Sequence, residues 1–181
     1  MTKEITLITG NENKVKEFER LLGIKLSHQK IDLPEHQTTD VKQVAKEKAT
    51  KAYEILGRAC LVDDTGFTIQ AWGELPGALI RWFLDNVGNE GIVKMLGEDT
   101  HRSASVTTAL GYCDEFGPRV FIGEVHGEIA QSPRGDNGFG YDSIFMPDGT
   151  SKTFAEMSDV EKDAYSMRKL AVDKIKEYLE I

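Results

Sequence analysis

The sequence predicts an α/β fold built on a long mixed central sheet with flanking helices. Three stretches carry that prediction. Ile5-Thr6-Leu7-Ile8 is an apolar strand, followed by Thr9-Gly10-Asn11 and a helical pattern. Ala59-Cys60-Leu61-Val62 is a second apolar run with a long helical pattern before it. Ser103–Cys113 and Arg119–Ile129 are two long strands joined at Phe116-Gly117-Pro118, which makes an antiparallel hairpin long enough to cross the molecule.

The elements follow in order. Lys14–Leu22 reads as a helix with Val15, Phe18, Leu21 and Leu22 on one face and Gly23 as its stop. Leu26–Leu33 reads as a second strand region ending at Pro34-Glu35. From about Thr39 to Leu56 the pattern is helical, with Val41, Val44, Ala45, Ala52, Ile55 and Leu56 on one face. Lys48 falls in the middle of that face. The strand at Ala59–Val62 should leave the core at Asp63-Asp64, with a turn at Thr65-Gly66 and a further strand from Phe67. Glu74–Gly77 is a turn, and Ala78–Asn86 and Gly88–Leu96 are helical. Trp72, Trp82 and Phe83 read as core or interface residues. Ser132–Asp142 holds too many glycines for regular structure, and a final helical stretch opens on the capping-box pattern Ser158-x-x-Glu161.

At 181 residues the chain is long enough for one sizeable domain or two intimate lobes. No apolar run is long enough to span a bilayer, and Met1–Glu4 opens no secretory leader, so a soluble cytoplasmic protein is expected. Cys60 and Cys113 lie in apolar runs and read as core thiols. A net charge of −8 argues against a partner that is a nucleic-acid polymer, but not against a small anion in a local cationic pocket.

Four features point toward chemistry. Asp63-Asp64 is either an Asp-rich turn or a carboxylate pair needing a cation, and hard oxygens suit Mg²⁺. Lys48 is either a lysine snorkelling from the core edge or an ammonium facing a ligand near those carboxylates. Thr9-Gly10-Asn11 is either an ordinary βα turn or a place where backbone N–H groups meet an anion. In Gly138-Phe139-Gly140-Tyr141-Asp142 the aromatics either tuck into the core or offer stacking faces to a flat ring, with Asp142 accepting from ring N–H groups. Lys162 and Arg168 converge only if the last regular helix starts near Ser166, as N-cap.

Taken in order, these pieces resemble the inosine triphosphate pyrophosphatase family over nearly the whole chain. Thr9-Gly10-Asn11-x-x-Lys14 is similar to the family's opening motif, with Lys14 at the phosphate-contacting position. Ile31-Asp32-Leu33-Pro34-Glu35 resembles the segment whose Glu helps hold Mg²⁺. Lys48 matches the active-site lysine, and Val62-Asp63-Asp64-Thr65-Gly66 the acidic signature whose second carboxylate acts as base. Leu75-Pro76-Gly77 and Arg81-Trp82-Phe83 also fit. Gly138–Asp142 resembles the base-binding loop, followed by Lys162 and Ser166-Met167-Arg168.

The resemblance implies a chain, 1–181, of two lobes around a substrate cleft, working as a homodimer. It implies Mg²⁺-dependent hydrolysis of non-standard purine triphosphates (ITP, dITP, XTP) to the monophosphate and pyrophosphate. Glu35, Asp63 and Asp64 are then expected at the metal, with Asp64 and Lys48 catalytic. Thr9, Gly10, Asn11, Lys14 and Thr65 are expected on the substrate, as are Phe139, Gly140, Tyr141, Asp142, Lys162, Met167 and Arg168. Two positions depart from the family pattern in its closing motif: Asp163 stands for Asn and Met167 for a base-recognising His. Ser143 stands where Pro is usual. An aspartyl-nucleophile phosphatase would need Asp-x-Asp after the first strand, and a dinucleotide oxidoreductase a glycine fingerprint; neither pattern is present.

Overall fold

The first strand, β1 (Thr6–Ile8), pairs in parallel with β2 (Ser27–Gln29) on one side and β3 (Cys60–Ile69) on the other. The computed structural model describes residues 5–98 and 101–181. Met1–Glu4, where no leader is expected, lies outside them. The rest of the sheet is antiparallel. β5 (Ser103–Asp114) pairs with β3 along all of Cys60–Ile69, and with β6 (Gly117–Ile129) as the predicted hairpin. β7 (Phe145–Pro147) adds to the end of β6, and β4 (Pro76–Gly77) to the end of β3. Among the described residues the sheet has seven strands, in the order β2-β1-β3-β5-β6-β7 with β4 attached to β3. It is mixed, as the sequence predicts.

Helices cover both faces. α1 (Glu12–Leu22) and α6 (Met167–Leu179) lie on one, where Leu7, Phe18, Leu61, Leu110, Val172 and Ile175 are buried together. α2 (Val41–Leu56) lies on the other, over Cys60, Val62, Ala109 and Cys113. A third cluster, with Phe67, Val106, Ile129 and Phe145, gathers α3 (Ile80–Asn86) and α4 (Gly88–Leu96) at the far end of the sheet. The one-turn α5 (Asp159–Asp163) starts at the capping box of Ser158 and Glu161.

Helix α2 has clear ends. Asp40 accepts from the N–H groups of Lys42 (2.9 Å) and Gln43 (3.3 Å), and Gly57 closes the helix at φ 63°. Removing the cap as Asp40→Ala is expected to cost about 1 kcal/mol of stability. Urea unfolding checks this, and an unmoved midpoint refutes it.

Several expectations are corrected. β3 does not break at Thr65-Gly66; it runs unbroken to Ile69, because β5 pairs with every residue of it. β2 is only Ser27–Gln29, and residues 30–40 carry no regular element. Ile55 is 60% exposed and Ala49 takes its place in the buried stripe, since α2 meets the sheet through small residues. The C-terminal pattern is two helices, and Val160 sits on the solvent side of the short one. β7, three residues after a glycine-rich loop, is too short to leave a periodic signal. Cys60 and Cys113 are buried free thiols facing each other across β3 and β5. No helix among the described residues is long and apolar enough to cross a membrane.

Candidate active site

The site begins with a gap in the sheet. On its β1 side, strand β3 is paired at Cys60 and Leu61 and again, by β4, at Phe67 and Thr68. Among the described residues, 62–66 between them have no strand neighbour on that edge. A cleft of about 500 Å³ opens there, a size that suits a small ligand.

Alternation along β3 sends its two carboxylates to different helices. Val62 and Asp64 share the α2 face, while Leu61 and Asp63 share the α1–α6 face. Asp64 Oδ1 accepts from Lys48 Nζ at 2.6 Å, and the same ammonium donates to Glu35 Oε1 at 2.7 Å. Lys48 is therefore not snorkelling: it reaches from the buried face of α2 to carboxylates from two other segments. Asp63 Oδ2 accepts from Lys14 Nζ at 2.8 Å and from Arg168 Nη2 at 3.1 Å. Arg168 Nη1 goes on to Glu17 Oε2 at 2.9 Å.

These pairings set the protonation states. Burial pushes Asp64 up, and Lys48 offsets this only in part. Asp64 Oδ2 is buried and has no hydrogen-bond partner among the described residues. Burial opposes the charge on Lys48 too, but two carboxylates outweigh it and hold the ammonium above its usual value. Lys48 has two partners and Asp64 one, so the same ion pair leaves both groups raised. Asp63 behaves otherwise. Burial would raise it, but Arg168 and Lys14 outweigh burial and hold it well below the usual carboxylate range.

Helix α1 starts at the βα turn. Thr9 Oγ1 accepts from Asn11 N–H at 3.0 Å, and Asn11 Oδ1 accepts from Lys14 N–H at 3.3 Å. Asn11 and Lys14 line the cleft, whereas Thr9 and Gly10 support the turn without lining it.

The other end of the cleft is the glycine-rich loop. Asp142, 4% exposed, accepts through Oδ2 from Phe139 N–H at 3.0 Å and from Lys162 Nζ at 2.7 Å. Gly138 is required here: its φ is +78°, and a Cβ would overlap Asp142 Oδ2. Phe139 is half exposed on the cleft wall, and Lys162 Nζ lies 5.8 Å from its ring centre. Tyr141 is mostly buried and stacks on Phe67 at 4.7 Å, so it belongs to the core while still lining the cleft floor beside the more open Phe139. Ser166 caps α6, and Lys162 sits on the separate turn α5, so the condition under which Lys162 and Arg168 can converge is met. Arg168, however, is 4% exposed and spends its guanidinium on Asp63 and Glu17. Met167, buried, completes that wall, and Gly140 and Thr65 also line it.

The sequence reading missed one wall. Leu79, Ile80, Arg81, Trp82 and Leu84 of the α3 region line the cleft, as do His36–Thr38. Trp82 is 62% exposed and is not a core residue; Phe83, its neighbour, packs on Trp72 at 6.0 Å. The available signal was Leu75-Pro76-Gly77, which folds α3 back over the β3 edge through β4.

The cleft thus joins a lysine–carboxylate cluster to an aromatic, lysine and carboxylate corner. Comparison with known proteins agrees in sequence and in shape. A dITP/XTP pyrophosphatase of Methanopyrus kandleri is 37% identical over 97% of this chain and 95% of its own. Inosine triphosphate pyrophosphatase 2 of Trypanosoma cruzi is 40% identical over 96% of this chain and 90% of its own. The solved structure of a Ham1 protein from Coxiella burnetii superposes with a TM-score of 0.88 at 32% identity, covering 98% of both chains. The profile of the Ham1 family matches residues 5–178, which takes in every site residue above, and the chain belongs to the Ham1 family.

Proposed function

We propose that this protein hydrolyses non-standard purine nucleoside triphosphates to the monophosphate and pyrophosphate. The observation that carries the reading is one cleft holding Asp64, with a buried bare oxygen beside Lys48 and Glu35, together with the Phe139–Asp142–Lys162 corner. The names of the relatives point to the same substrates.

The donor set fits Mg²⁺. Glu35 Oε1 and Asp64 Oδ1 converge on one point, now marked by the Lys48 ammonium, and Asp64 Oδ2 stays outside that pairing. Among the described residues there is no cluster of three or more metal-ligating side chains. Two carboxylates with phosphate oxygens and water are what Mg²⁺ takes. Bound there, it would supply charge neutralisation at the phosphoryl oxygens.

The chain's own groups do the rest. Lys14 and Lys48 hold phosphate oxygens and spread the charge that builds during transfer. Asp64 accepts the proton of the attacking water through Oδ2, and its raised proton affinity makes it a better base than an exposed aspartate. Phe139 stacks on the base. Lys162, fixed by Asp142, donates to a 6-oxo group, where adenine would present an N–H donor instead. We assign that contact to Lys162 because Arg168 is already held by two carboxylates.

Pyrophosphate release with Mg²⁺ tests the proposal. ITP and XTP should exceed ATP by about a hundredfold in kcat/KM, the scale set by one mismatched buried hydrogen bond. Equal rates on ITP and ATP would sink it.

A further inference from the structure

Asp63 and Asp64 are adjacent in the chain yet are neutralised by different cations on opposite faces of β3. Asp64 meets Lys48 on the α2 side. The Asp63 side chain is 2% exposed, and both of its oxygens are taken: Oδ2 by Lys14 Nζ and Arg168 Nη2, Oδ1 by Arg168 Nε at 3.4 Å. Lys14 comes from the first turn of α1 and Arg168 from the first turn of α6.

Two cations on one oxygen repel each other, and the anion between them is what lets both remain. They are not equally free. The Arg168 side chain is 5% exposed and held from its far side by Glu17 at 2.9 Å. The Lys14 side chain is 23% exposed, on an unbranched stem, and lines the cleft. Lys14 is thus the member that moves if the anion is lost.

We infer that Asp63 is a positioning residue for Lys14 rather than a metal ligand, with Arg168 as its buried anchor. Ion pairing with Asp63 holds the Lys14 ammonium in the cleft before substrate arrives, so its ordering cost is met during folding. This inference rests on the phosphate-binding role of Lys14 proposed above.

The test is a double-mutant cycle with Asp63→Asn and Lys14→Met, read in KM and kcat for ITP and in Mg²⁺ affinity without nucleotide. Asp63→Asn should raise KM roughly tenfold, with a smaller fall in kcat, as expected for coupled neighbours. In the Lys14→Met background the same substitution should change KM less than about twofold. Mg²⁺ affinity should stay within about twofold of wild type, since a lost ligand costs far more. Equal effects in both backgrounds, or a tenfold loss of Mg²⁺ affinity, would overturn the inference.

If wild type does not turn over ITP, the proposed function fails by itself, and the cycle is read in calorimetric binding of inorganic pyrophosphate. If Asp63→Asn does not fold, wild type labelled with ¹⁵N-lysine decides. It should show a slowly exchanging ammonium that vanishes in Lys14→Met, and a rapidly exchanging Lys14 ammonium overturns the inference.

Discussion

Asp64→Asn is expected to lower kcat for ITP by about a thousandfold while nucleotide binding survives, the range a lost general base produces. The substitution keeps the shape of the side chain on β3 and lets Asn Oδ1 still accept from Lys48. It removes the proton acceptor at Oδ2, the buried atom without a partner. It also removes one of the two carboxylates that fit Mg²⁺, so the measurement needs saturating metal. Single-turnover kinetics and nucleotide binding by calorimetry separate the two effects. Near-normal turnover with saturating Mg²⁺ would refute the base assignment. In the metal-free protein, burial raises the Asp64 carboxyl. Titrated without Mg²⁺, it should therefore take up its proton at a pH above the ~4 of an ordinary aspartate, and added Mg²⁺ should lower that point.

The largest expected loss of stability comes from Gly123→Ala, a single methyl two strands across the sheet from the carboxylates. Gly123 lies mid-strand in β6, opposite Thr108 of β5. The start of α6 lies against it so closely that an added Cβ would overlap Met167 O and approach Ala171 N at 2.8 Å. Both obstacles are backbone, so no side-chain rotation relieves them. Either α6 lifts from the sheet or β6 bends. Overpacking against flexible side chains costs about 1–3 kcal/mol; a rigid helix should cost more, about 3–5 kcal/mol. Because Met167 and Arg168 open α6, the same displacement should raise KM in the molecules that remain folded. Chemical unfolding and steady-state kinetics check both. A stability loss below about 1 kcal/mol would show that the helix seat is softer than its geometry implies.

How far the sequence could be read depended on the physical signal at each place. Long elements were legible because periodicity accumulates. The β5–β6 hairpin, α4 and the C-terminal end of α2 are found within two residues of their predicted bounds. Lys48 was legible for the same reason, since a charge centred on an apolar face stands out against the helix wheel. The course of β3 was not. Thr65 and Gly66 carry turn-like residues, but pairing with β5 overrides local preference, and nothing in five residues reveals a partner about forty positions away. The direction of each Asp followed from that course. With β3 extended, alternation alone separates them; with a turn they would have shared a cation. Arg168 shows a different gap. Its type and spacing suggest a ligand contact, yet Glu17, which holds it, is remote in the chain and has no motif of its own. Trp82 reads from sequence as core or interface because a large aromatic suits either, and only the fold of β4 decides against the core and places it on an open wall.

The interrupted edge of β3 has a mechanical consequence. A residue that must meet a substrate within a few tenths of an ångström needs a stiff support, but stiff parts of proteins are usually the covered ones. Asp64 escapes that conflict. Its strand is bound to β5 without a break on one side and left bare for residues 62–66 on the other. The side toward the sheet supplies rigidity and the side toward the cleft supplies access. Movements that admit or release a ligand can then fall to the walls, the segment at His36–Thr38 and helix α3, while the carboxylate itself stays in register.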